Sequence, residues 1–267
     1  MQRLITALVL LPLLLWVILA GTPWMFALLL VLLTGIGLYE FYQMAFKENA
    51  AQFLPFCLVG ALVPLLPLVA APPLMVLALT LLFLAGALHL LFRFRDISQA
   101  ASDVGLLALS ILYVPLLMSH LQLIRQLENG VSWLLLIMLI VMTNDSAAYY
   151  TGCRFGKHRL YEAVSPKKSI EGSLGGLVGS LIGTALAKAT FFPQLQITDL
   201  ILAPLLIGSI GQLGDLFESL LKRSFGVKDS GTIFPGHGGV LDRLDSIIFA
   251  APVTYYYAVL LFGRWPL

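Results

Sequence analysis

Nine apolar runs, each about long enough to cross a bilayer as a helix, leave this chain few ways to fold. They occupy residues 4–19, 24–42, 53–70, 74–92, 104–124, 133–150, 174–192, 200–221 and 246–262. A helical crossing needs about 20 mostly apolar residues. Only helices and closed barrels satisfy their backbone polar groups in hydrocarbon, and runs of this length select helices. Charged residues make up 11% of the chain, against about 25% in ordinary soluble domains, and the mean hydropathy is +0.93. A soluble globule, a disordered chain and a basic nucleic-acid-binding domain are thereby excluded. The expected fold class is all-α: a polytopic integral membrane protein of about nine transmembrane helices with a cytoplasmic N-terminus.

The first two runs are separated only at Gly21-Thr22-Pro23, where helix-breaking residues favour a tight re-entry. The fifth is the most diluted, by Ser110, His120 and Gln122. Arg3, an apolar core and Ala20 resemble a secretory signal, but no A-x-A site follows and another run begins at once. Cys57 and Cys153 show no CxxC or Cys/His spacing, which excludes a zinc or disulfide framework.

Basic residues report orientation. With loops assigned alternately, one side holds Arg3, Lys47, Arg93, Arg95, Arg154, Lys157, Arg159, Lys167, Lys168, Lys222, Arg223, Lys228 and Arg243. The other holds only Arg125, Lys188 and Arg264. The positive-inside rule then places the first side in the cytoplasm and favours an odd number of crossings.

Polar residues divide the chain into a scaffold of helices over 1–130 and a polar-rich region over 131–267, the expected seat of any chemistry, with cytoplasmic loops at 151–173 and 222–245. Glu40, in the second run, reads as a helix-end carboxylate reaching toward the interface. The two loops hold nine of the sixteen Lys and Arg residues. Beside them, at or near membrane depth, lie Asn144, Asp145, Gln212, Asp215 and Glu218. Polar groups there normally face a partner or a wet cavity.

Gln212, Asp215, Ser219 and Lys222 recur at helical spacing and share a face, as do Asp242 and Asp245. Ala148 and Gly152 make the Asp145–Tyr149 flank small enough for a close neighbour. Asp215, Asp242 and Asp245, converging from two helices, would offer the hard oxygen ligands that Mg²⁺ takes. The alternative is that Asp242 pairs with Arg243 or Arg223. Ser165-Pro166-Lys167-Lys168-Ser169 reads as a turn that brings ammonium and hydroxyl groups to an anion, just before Gly172-Ser173 opens a helix. Lys222-Arg223, Lys228 and His237-Gly238-Gly239 add donors and a flexible turn, while anionic headgroup binding would account for the charge alone. Gly152-x-x-x-Gly156-Lys157-His158 lacks P-loop spacing, and neither H-E-x-x-H nor G-x-S-x-G occurs.

Residues 219–245 read SLLKRSFGVKDSGTIFPGHGGVLDRLD. This closely resembles the signature of the phosphatidate cytidylyltransferases (CDP-diacylglycerol synthases), meeting it at Ser219, Lys222, Arg223, Lys228, Asp229, Gly231, Phe234, Pro235, His237, Gly238, Gly239, Asp242, Arg243 and Asp245. Asn144-Asp145, Ser165 to Ser169, Glu171-Gly172 and Gly211-Gln212-x-Gly214-Asp215 also look like that family. The resemblance implies an integral enzyme of a bacterial-type inner membrane that condenses CTP with phosphatidic acid to CDP-diacylglycerol and pyrophosphate. It further implies a homodimer and Mg²⁺ in a two-metal centre, the second ion divalent or monovalent.

Carried over residue by residue, the resemblance assigns metal ligation to Asp215, Asp242 and Asp245. Lys222, Arg223, Lys228, Asp229 and His237 join them as catalytic candidates. Asn144, Asp145, Ser165, Lys167, Lys168, Ser169, Gln212, Ser219, Gly238, Gly239 and Arg243 fall on substrates. Two rivals do not use this signature. A CDP-alcohol phosphatidyltransferase would need a D-G-x2-A-R pattern that is absent. A secondary transporter would need repeated halves with paired broken helices.

Overall fold

The computed structural model describes residues 2–69, 72–94, 96–233 and 238–262. Arg95, Phe234, Pro235, His237 and Arg264 lie outside them. The described chain is overwhelmingly helical and divides into two compact units. One consists of the chain up to Leu123 with Asp229–Arg243, the other of Ile124–Lys228 with the chain from Leu244 onward. Among the described residues, six stretches are long and apolar enough to cross a membrane: Pro23–Val69, Pro73–Arg93, Ile97–Arg125, Gly130–Phe155, Ile170–Thr190 and Asp199–Ser224. This is a multi-pass, all-α membrane protein.

The first unit opens with α1 (Gln2–Leu19) and α2 (Pro23–Phe46). Thr22 caps α2 by accepting the Met25 N–H at 3.2 Å, and Pro23 occupies the first helical position, where its missing N–H costs nothing. The third apolar run departs from expectation. It divides into α3 (Leu54–Ala61), a tight 3₁₀ turn at Val63–Leu65 and α4 (Leu66–Val69). Pro64 and Pro67 remove the backbone donors that would carry one helix through. The eight residues of α3 reach about 12 Å, less than half a bilayer core. The stretch is therefore a broken helix rather than one straight crossing.

After α5 (Pro72–Arg93), the fifth run forms one continuous helical path, α6 (Ile97–Ile111), a π-helical turn at Leu112–Leu116 and α7 (Leu117–Arg125). Asp96 caps α6 through the Ser98 N–H at 2.9 Å, and its hydrogen bonds from Ser98 hold its carboxyl below the usual range. The π turn falls at Pro115, whose ring would clash with the carbonyl of Ile111 in a regular helix. Ser110, His120 and Gln122 are all buried rather than lipid-facing. The Ser110 hydroxyl donates to Tyr42 Oη at 2.9 Å, tying α6 to α2.

The second unit rests on α8 (Gly130–Phe155), α9 (Ile170–Thr190) and α10 (Asp199–Ser224), with most of α11 (Leu241–Leu260). Gly172, Gly176, Gly179 and Gly183 line one face of α9 against α8. A Cβ at Gly176 would come within 2.6 Å of Gln212 Nε2 and 2.7 Å of Asn144 Oδ1. One at Gly179 would lie 2.6 Å from Ala147 Cβ. The backbones thus approach as small-residue membrane helices do. On the other face of α9, Leu174, Val178, Ile182 and Leu186 recur every fourth residue and are exposed, a stripe suited to lipid. At the end of the unit away from the loops, Trp133, Phe192, Tyr257 and Phe262 pack edge to face. Asp199, 2% exposed, accepts the Tyr257 hydroxyl at 2.5 Å and the Gln196 N–H at 2.8 Å. Both cysteines are free thiols.

The glycine face carries a test. Gly179→Val should destabilise the protein by about 1–3 kcal/mol through overpacking, seen as a lower unfolding midpoint in detergent. Gly105→Ala, on α6 with no atom within 4 Å of the added methyl group, should be neutral or slightly stabilising.

Candidate active site

The loop between α8 and α9 is not the simple turn that Ser165 to Ser169 suggest in sequence. It forms a two-stranded antiparallel hairpin, β1 (Arg159–Tyr161) and β2 (Ser165–Ser169), pairing Arg159 with Ser169 and Tyr161 with Ser165 across an irregular register. Two-stranded hairpins are marginal alone, and this one is pinned at its base. Glu171, in the first turn of α9, accepts the Lys157 N–H at 3.1 Å, and its Oε1 lies 2.6 Å from His158 Nδ1. Ser169 ends β2 and caps α9, accepting the Gly172 N–H at 3.1 Å. The helix therefore opens at Ile170, two residues before Gly172-Ser173, and one N–H expected to face an anion is already satisfied.

Strand geometry separates residues that the sequence groups together. Successive side chains on a strand point to opposite faces, so Lys167 and Lys168 diverge. Lys167 is exposed, whereas Lys168 Nζ sits 2.6 Å from Asp215 Oδ2 on α10. Ser219, one turn further along α10, reaches Asp215 Oδ1 at 3.5 Å. Asp145 lies within electrostatic reach of Asp215 and Lys168, and Asp245 within reach of Asp215, Glu218 and Lys222. Lys222 Nζ donates to Glu218 Oε2 at 2.7 Å, both groups largely buried. This one unit thus gathers four carboxylates and two ammonium groups from α8, β2, α10 and α11.

Beneath this cluster the amides have a different part. Asn144, 2% exposed, donates to Ser180 Oγ at 2.8 Å and accepts from Gln212 Nε2 at 2.9 Å. Gln212 also donates to the Ser173 carbonyl at 2.9 Å and accepts the Ser173 hydroxyl. Within the described structure these contacts join α8, α9 and α10. Arg223 donates to the Val227 carbonyl at 3.2 Å, while Ser165 is half-buried and Lys228, Asp229 and Arg243 are exposed.

In the other unit, Ser230 and the residues from Gly239 to Leu241 bond to two carboxylates, Asp242 and Glu40. Asp242 Oδ2 accepts the N–H groups of Ser230 and Gly239, each at 2.8 Å, and lies 2.9 Å from Ser230 Oγ. Gly238 has φ +81°, a left-handed conformation that favours glycine. Glu40 corrects the expectation of a carboxylate reaching for the interface. It is 2% exposed and bonded to Ser230, Val240 and Leu241. Position in an apolar run could not reveal this, because those partners lie some two hundred residues away.

Among the described residues, no three His, Cys, Asp or Glu side chains stand close enough to hold a metal ion as they are. The donor chemistry nonetheless suits a hard divalent cation, because carboxylates outnumber ammonium groups around Asp215, although Lys168 occupies one of its oxygens.

The chain is similar in sequence to known proteins along most of its length. The model of the cytidylyltransferase family matches residues 1–261. A phosphatidate cytidylyltransferase of Thermotoga maritima is 35% identical over 230 residues, 84% of each chain. One from Synechocystis is 34% identical across 97% of each chain, and one from Bacillus subtilis is 40% identical over 164 residues, 59% of each. A match of the family model over residues 1–261, almost the whole length, establishes that the chain belongs to the cytidylyltransferase family.

Proposed function

We propose that this protein is a phosphatidate cytidylyltransferase, which joins CTP to phosphatidic acid and releases CDP-diacylglycerol and pyrophosphate. Family membership supports the nucleotidyl transfer. The observation that carries the chemistry is the Lys168–Asp215 pair, 2.6 Å long, with Asp145 and Asp245 within electrostatic reach of Asp215.

The reaction follows from the charges. A phosphate oxygen of phosphatidic acid attacks the α-phosphorus of CTP, a new P–O bond forms, and the α–β anhydride bond breaks to release pyrophosphate. The lipid phosphate is already anionic near neutral pH, so the site needs no dedicated general base. Its task is to hold two polyanions together and offset the charge that develops between them. Lys168, freed from Asp215, and Lys222 are placed to serve phosphate oxygens, with Arg223, Lys228 and Lys167 contributing at the rim. Asp215 and Asp245 would hold Mg²⁺, and the resemblance adds Asp242 to the set. Such ions supply Lewis-acid stabilisation of attacking and leaving oxygens.

Asn144 and Gln212 belong in this reading as the frame beneath the nucleotide site, with Ser219 steadying Asp215. The lipid substrate would reach the site from the bilayer with its acyl chains still in hydrocarbon, and CTP from the cytoplasm, where the excess of basic residues puts the loops. An inner-membrane location and a homodimer follow from the resemblance.

Incubating the purified full-length protein with labelled CTP, phosphatidate and Mg²⁺ should yield CDP-diacylglycerol and pyrophosphate in equal amounts. Absence of product with every component present would refute the proposal. Asp215→Asn should reduce turnover at least about a hundredfold, on the scale of other electrostatic losses at reacting centres, while the unfolding midpoint in detergent stays within a few degrees. The two hairpin lysines should differ. Lys168→Ala is expected to lower kcat/KM by about two orders of magnitude and Lys167→Ala by less than about tenfold, because only Lys168 faces the carboxylates. Equal losses in steady-state assays would contradict that assignment.

A further inference from the structure

Glu40 lies on α2, outside every segment that carries the family signature, yet it is built into one of them. Its Oε1 accepts the Val240 N–H at 2.9 Å, and its Oε2 accepts the Leu241 N–H at 3.0 Å and the Ser230 hydroxyl at 3.1 Å. Val240 and Leu241 are where α11 begins, so their N–H groups have no carbonyl one turn earlier to bond. A carboxylate there satisfies those donors and meets the positive end of the helix dipole. Glu40 is also 2% exposed, a burial that is unfavourable for a charged group unless donors surround it.

The loop is shaped around this carboxylate. A Cβ at Gly231 would come 2.5 Å from Glu40 Oε1, and one at Gly239 would collide with both the carboxylate and Ser230 Oγ. Ser230 links the two acids, since its single hydroxyl proton faces Glu40 Oε2 at 3.1 Å and Asp242 Oδ2 at 2.9 Å. Glu40 thus sets the start of α11 and the Gly238-Gly239 turn. Through Ser230 it also sets the orientation of the Asp242 carboxylate, which binds Gly239 N–H as well.

We propose that Glu40 is a positioning residue for cytidylyl transfer, holding Ser230, the glycine turn and the first turn of α11 so that Asp242 is presented in one orientation. This rests on the function proposed above, and its test separates the two. Glu40→Gln keeps the shape but replaces one acceptor oxygen with a donor, so one N–H at the start of α11 loses its partner. In the full-length enzyme without substrate or added metal, hydrogen exchange over 229–243 should rise at least tenfold. Exchange over α8 and α9 should not change.

In the assay, kcat per folded molecule should fall at least tenfold with KM for CTP within about threefold, and the Mg²⁺ concentration for half-maximal rate should rise severalfold. Glu40→Ala, should it fold, is expected to exceed both effects. Unaltered exchange over 229–243 in Glu40→Gln would overturn the contact itself. Faster exchange there with wild-type kcat and wild-type Mg²⁺ response would leave Glu40 a purely structural residue and overturn its positioning role. If the wild-type protein transfers no cytidylyl group, the functional reading fails and with it the positioning role, while the exchange measurement still judges the Glu40 contact.

Discussion

The contact between α8 and α9 governs the second unit. Glycines at 172, 176, 179 and 183 let the two backbones approach so closely that the loop joining them has little to span. A short hairpin bridges the gap, and the ends of the two helices fix its direction. Strand alternation then leaves one of its two adjacent lysines facing α10, where Lys168 finds Asp215. In lipid there is no hydrophobic drive to bring helices together, so close packing and interhelical hydrogen bonds must do so. Asn144, Ser180 and Gln212 supply those bonds on the helices the glycines bring together.

Carboxylates in this protein serve two ends, and their surroundings tell them apart. Asp215 is half-buried, meets a lysine side chain and has other acids within electrostatic reach. Glu40 and Asp242 instead collect backbone N–H groups and a serine hydroxyl. Most of those donors belong to the main chain, so Glu40 holds local shape and the Asp242 carboxylate is fixed in one orientation. Asp199, bonded to Tyr257 and Gln196, is likewise a packing residue. Residue type alone draws none of these distinctions. The neighbours do.

Much of the architecture was legible in the chain. Long apolar runs demand helices because lipid offers backbone groups no other partner, and the described helices fall where those runs lie. The candidate site segments stand out in the chain as dense clusters of acids, lysines and glycines beside apolar runs. Local geometry was less so. Pro64 and Pro67 in the third run signalled a break that hydropathy overlooked, and Pro115 marked the π turn. Ser165 to Ser169 became a strand although Pro and Ser suggested a turn, because a partner strand and a pinned base outweighed local preference.

By itself, then, the sequence determined that the chain is a bundle of membrane helices, that its polar chemistry gathers in the second half, and which family it joins. These properties depend on composition, periodicity and local spacing, all of which a linear chain carries. Only the tertiary structure decided which of two neighbouring lysines meets an acid, that Asn144 and Gln212 bind helices together, and that Glu40 bonds to Ser230, Val240 and Leu241, some two hundred residues distant. Each of those outcomes depends on a hydrogen bond or ion pair a few ångströms long between groups far apart in sequence, and such a bond exists only once folding has brought its two ends together.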